Sequence, residues 1–145
     1  MRVRGLLSIG LLLLAGMAFA QAQQDQTQPV GTMMEFMWSM VHPASNEILL
    51  AVNRGGPQND KEWADVQRSA LQLAESGNLL MMRGRARDQG EWMKDAKALV
   101  DVGAAAYKAA KAKDANALAG LTGQIDASCV SCHKQYRPNV HPKQS

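Results

Sequence analysis

Apolar residues recur every three or four positions over most of the chain, and four stretches with this helical period can be read. The first covers residues 32–52, with Met33, Met37, Met40, Ala44, Ile48 and Ala51 on one stripe. Pro43 falls inside it. Proline has no amide hydrogen and its ring crowds the carbonyl four residues back, so a kink or restart is expected there. "NRGGPQND", residues 53–60, is dense in turn formers and ends the stretch. The second covers residues 60–82, with Asn59 or Asp60 as its cap and Trp63, Val66, Ala70, Leu73, Gly77 and Leu80 on one face. The third runs over residues 88–113, marked by Trp92, Ala96, Leu99, Gly103, Tyr107 and Ala110. The fourth starts at Asp114, a residue suited to an N-cap, carries Leu118, Leu121, Ile125, Ser128 and Cys132, and stops before Pro138.

Four helices with one apolar stripe each and short connections predict an all-α chain, an antiparallel four-helix bundle. Small residues on the stripes, Gly77, Gly103 and Ala104 to Ala106, permit close helix approach and also leave room for something bulky to fill. No strand or hairpin pattern and no internal repeat is visible.

The first twenty residues stand outside this pattern. Arg2 and Arg4 precede an apolar run that includes four leucines from Leu11 to Leu14, and Ala18-Phe19-Ala20 has the small-x-small form of a cleavage site. Residues 1–20 therefore read as a secretory signal peptide, too short for a membrane span, and the mature chain is expected in the periplasm. No cysteine follows the cleavage region, so no membrane anchor is expected after cleavage. Residues 21–31 are a polar, glutamine-rich leader expected to be disordered, residues 32–140 the domain, and residues 141–145 a tail. Loss of Arg2 and Arg4 takes the basic count from 16 to 14 against 13 acidic residues, which removes the case for a nucleic-acid partner.

Both cysteines of the chain lie in "IDASCVSCHKQYRPNV", residues 125–140. A disulfide closing so small a loop stabilises little. Cys129-Val130-Ser131-Cys132-His133 is C-x-x-C-H, the form of a c-type haem attachment site. Two thiols three apart on a helix share a face and reach two vinyl groups of one haem, and the next residue, His133, turns its ring to the iron as proximal ligand. The rivals are a redox couple, which needs a βαβ setting, and zinc, for which His42 and His141 are the only further histidines. Tyr136 and Arg137 follow His133 by three and four residues, along the expected haem edge. Arg137 can pair with a propionate or be solvated at the helix end. "RGRARDQG", residues 83–90, is either a solvated loop or a docking site for an acidic redox partner.

A C-x-x-C-H on the last helix, in "CVSCHKQYRP", resembles the class II cytochromes c, the cytochrome c-prime and cytochrome c-556 group. The resemblance extends over residues 32–140, and Tyr136 and Arg137 match the aromatic and basic residues that follow the histidine in much of that family. It implies a four-helix bundle with one haem c on the C-terminal helix, and it allows a homodimer through the first two helices. It also implies, for six-coordinate members, a distal methionine on the first helix. Met37 is the expected ligand, because it lies mid-stripe and six residues before Pro43, with Met33 and Met40 as alternatives. His42 lies off that stripe. The expected function is a periplasmic electron carrier, not an enzyme, serving redox partner proteins. The alternatives are a five-coordinate protein that binds NO or CO, and a helical structural protein without haem.

Overall fold

The computed structural model describes residues 28–139. The expected signal peptide, residues 21–27 of the leader, Val140, His141 and the tail lie outside them. Every regular element among the described residues is helical, and no described helix is long and apolar enough to cross a membrane.

The first stretch is α1 (Met33–Phe36), a π-helical turn (Met37–Val41) and α2 (His42–Asn53), joined without a break in helical backbone. Thr32 opens it with a reciprocal cap: its hydroxyl accepts the Glu35 N–H at 3.2 Å, and the Glu35 carboxylate accepts the Thr32 N–H at 2.8 Å. The break expected at Pro43 takes the form of the widened turn before it, where the His42 N–H donates to the Met37 carbonyl five residues back. Pro43 has no N–H to donate and its ring crowds the Ser39 carbonyl, so the wider turn relieves both problems. The extra residue in the turn also rotates the stripe. Phe36 and Val41 become buried, while Met33, Met37 and Met40 are left half-buried at the edge of the core.

α3 (Asp60–Met81) starts as expected, with the Asn59 side chain accepting the Glu62 N–H at 3.0 Å. α4 (Glu91–Lys111) starts three residues later than the periodicity suggested. Asp88 lies ahead of it, two residues before the N-cap Gly90, and its Oδ1 accepts the N–H groups of Gly90 at 2.8 Å and Trp92 at 3.1 Å. The fourth stretch is not one helix. Asp114 caps α5 (Ala115–Gly120), and α6 (Thr122–Tyr136) follows after Leu121. Gly120 and Gly123 flank that joint, and glycine is a weak helix former.

All four stretches contribute to one core, in which Ile48, Val66, Leu73, Leu118 and Ile125 are fully buried. α3 and α4 make the most intimate pair. A β-carbon on Gly103 would lie 2.6 Å from the Ala74 nitrogen, and one on Gly77 would lie 2.8 Å from the Ala96 carbonyl oxygen. These glycines therefore serve close approach and leave no room for a bulky group. α6 lies against α4 and α2, and the π turn lies against α3. The Trp92 indole N–H donates to the Leu80 carbonyl at 2.8 Å, tying the start of α4 to the end of α3.

The crossing can be tested with two glycines. Gly103→Ala gains helix propensity but drives its methyl group into backbone, and should lower unfolding stability by about 1–3 kcal/mol. Gly123→Ala has nothing within 4 Å of the new carbon and should raise stability by about 0.5–1 kcal/mol. Urea midpoints measure both, and equal effects of the two changes would contradict the close crossing.

Candidate functional site

α6 carries Cys129, Cys132 and His133. An amphipathic helix anchored by Ile125 turns this face toward the core, and all three residues are only partly exposed. Pro138 disfavours helical backbone in the residue before it. α6 accordingly ends at Tyr136, and Arg137 adopts φ −139°, ψ 59° while its N–H still donates to the His133 carbonyl at 2.8 Å.

Beside α6 lies a cavity of about 380 Å³ lined by Thr32, Met33, Met34, Met37, Arg87, Trp92, Cys132, His133, Tyr136 and Arg137. A narrower space of about 40 Å³ is lined by Met37, Trp92, Cys132 and His133 again, and by Cys129, Asp95 and Leu99 among others. The π turn thus brings the Met37 thioether to the same two spaces as the cysteine–histidine motif. The three expected methionines part company here. Met37 lines both spaces, Met33 lines the larger one, and Met40 lines neither. Met40 instead packs on the core, and its carbonyl accepts the Gln72 amide at 2.8 Å. His42 is exposed on the outer face of the first stretch, with its ring 5.0 Å from that of Trp38.

Both cysteines are free thiols. Burial pushes Cys129 above the ordinary thiol value. Burial first, then the Asp95 carboxylate, pushes Cys132 up to about 12. Such thiols stay protonated at neutral pH, the reverse of the lowered values that activate thiol–disulfide exchange.

Tyr136 forms part of the wall. Its ring meets Trp92 edge-on, with centroids 4.8 Å apart at 78°, and its hydroxyl donates to Asp88 Oδ2. Burial, and then that carboxylate, push the phenol up to about 12. Asp88 therefore fastens the 83–90 loop to the end of α6 while accepting the Trp92 N–H in the first turn of α4. The loop is not simply a solvated connection. Arg85 is buried, with its guanidinium 4.5 Å above the Phe36 ring, and Arg87 reaches the cavity beside Arg137.

Thr32, Asp95, the walling role of Trp92 and the place of Arg87 at the cavity have no counterpart among the expectations drawn from the sequence, which mark Arg87 only as part of a loop that is solvated or docks a partner. Arg87 and Thr32 carry no local signal, since only the fold brings loop and N-terminus to α6. Asp95 did leave one: it stands three after Trp92 and four before Leu99, an acidic residue on an apolar stripe.

The residue set fits a c-type haem. Two reduced thiols share a helix face, an imidazole and a thioether border a common space, the walls are aromatic and apolar, and two arginines suit carboxylates. The cavity also falls within the range of about 300–1,000 Å³ usual for cofactor sites. Comparison with protein-family models, curated proteins and solved structures finds no match to the chain.

The Asp88 carboxyl is held below its ordinary value, chiefly by the Tyr136 hydroxyl, with the Trp92 and Gly90 N–H groups adding to the effect. A depressed folded value means that its contribution to stability is complete above about pH 3.9 and is lost as pH falls through the lower folded value. The melting temperature of the wild type should therefore fall more steeply below about pH 4 than that of Asp88→Asn. Parallel melting curves against pH would remove this contact from the loop's anchorage.

Proposed function

We propose that this chain is a periplasmic c-type cytochrome: an antiparallel four-helix bundle with one haem c joined to Cys129 and Cys132, ligated by His133 and Met37. It acts as an electron carrier for redox partner proteins rather than as an enzyme. The observation that carries the reading is the convergence of Met37 with Cys132 and His133 on both spaces beside α6. When bound, the haem supplies one-electron exchange between ferrous and ferric iron. The two protonated, unbridged thiols are in the reduced state that thioether formation requires. His133 would offer a ring nitrogen from α6 and Met37 a thioether sulfur, a ligand that favours ferrous iron and raises the potential. Trp92 and Tyr136 keep water from that centre. Arg87 and Arg137 give the propionates charge-assisted partners.

The haem should stay with the purified protein through acid–acetone extraction, and Cys129→Ala with Cys132→Ala together should release it. Haem passing into the organic phase from the wild type would refute the thioethers. The ferric protein should be low-spin, with the weak far-red band of an iron–methionine bond. Met37→Ala should abolish that band, lower the potential and speed carbon monoxide binding to the reduced form. A high-spin wild type that takes up carbon monoxide freely would put the five-coordinate, gas-binding reading first. A band that survives Met37→Ala would move the ligand to Met33 or Met40.

A further inference from the structure

Asp95 stands on α4 with its side chain behind the motif. It is 7% exposed, and it lines the narrow space together with Met37, Cys129, Cys132 and His133. Ser131, the residue between the two motif positions Val130 and Cys132, donates its hydroxyl to Asp95 Oδ1 at 2.8 Å. The nearby lysines of the same helix are engaged elsewhere: Lys94 pairs with Glu91 at 3.2 Å and Lys97 with Asp101 at 2.7 Å. The carboxylate thus meets a neutral hydroxyl, and among the described residues no lysine or arginine forms an ion pair with it. Holding α6 against α4 does not explain this choice, because asparagine would accept the same hydrogen bond without the desolvation of a charge. A carboxylate adds one thing an amide lacks, which is a negative charge on a largely buried side chain.

We infer that Asp95 is a positioning and tuning residue that lowers the reduction potential of the haem proposed above, by holding a buried negative charge beside the iron's ligand set. The inference rests on that reading of the site. Oxidation to the ferric state adds one positive charge to the iron, and a nearby fixed anion favours the more positive state, the more so where water screens little. The hydrogen bond from Ser131 moderates the effect by drawing on the carboxylate's charge. The influence of that carboxylate already reaches the cavity, where it helps to raise the Cys132 thiol.

Spectroelectrochemical titration of the haem-loaded wild type, Asp95→Asn, Asp95→Glu and Ser131→Ala tests the inference. Asp95→Asn keeps an acceptor for Ser131 and removes the charge, so its midpoint potential should rise with the far-red band unchanged. Asp95→Glu should return it toward the wild type. Ser131→Ala keeps the charge and removes the donor, so its midpoint should fall. A midpoint in Asp95→Asn at or below the wild type, or a rise in Ser131→Ala, overturns the inference. A purely structural role would move both variants in the same direction. Should Asp95→Asn not assemble, the sign in Ser131→Ala decides alone. A wild type without covalent haem overturns the proposed function and this inference together, whereas a haem-bearing wild type with an unresponsive Asp95→Asn overturns the inference only.

Discussion

The close crossing of α3 and α4 is the constraint on which the rest depends. At Gly77 and Gly103 the two helices touch backbone to backbone, with no space for even a methyl group. This approach brings Leu73, Val66, Leu99 and Val102 within one buried layer, and it gives the first stretch and α6 a firm surface to pack on. The conformational entropy lost at two mid-helix glycines, about 1 kcal/mol each relative to alanine, is offset by the dispersion contacts that only close helices make.

The space beside the cysteine–histidine face of α6 is kept open by features that resist collapse. The Trp92 indole is fixed at both ends, by its N–H to Leu80 and by the Tyr136 ring against its face. Tyr136 is in turn tied to Asp88, which accepts the Trp92 N–H at the start of α4 and anchors the loop bearing Arg87. One carboxylate thus connects a helix start, a helix end and a loop. Pro138 ends α6 just where Arg137 must turn to the cavity mouth. On the other side, the π turn before Pro43 aims Met37 inward. A proline that would damage a regular helix here sets the direction of the proposed ligand.

Within the proposed cytochrome, the groups around the iron act in opposite senses. The Met37 sulfur favours the ferrous state and Asp95 favours the ferric state. Apolar walls from Trp92 and Leu99 would strengthen the effect of Asp95 by excluding water, since charges interact more strongly where the dielectric is low. The working potential then follows from a balance between residues on three elements: the π turn, α4 and α6.

Much of this was legible in the sequence because it depends on local chemistry. Helical period, the caps at Asn59 and Asp114, the stop at Pro138 and the spacing of Cys129, Cys132 and His133 are each set by residues within a few positions of one another. The four apolar stripes likewise determined an all-helical chain, because each must bury its face. The sequence did not determine which methionine borders the motif, since Met33, Met37 and Met40 share a stripe until the π turn alters their register. Nor did it separate Arg85, which is buried over Phe36, from Arg87, which reaches the cavity, two residues apart in the same loop. The room that small residues at Gly77 and Gly103 suggest is taken up by the facing helix backbone. Those choices were made by tertiary packing, because each depends on what an element from a distant part of the chain places opposite, and side-chain periodicity carries no record of its partner.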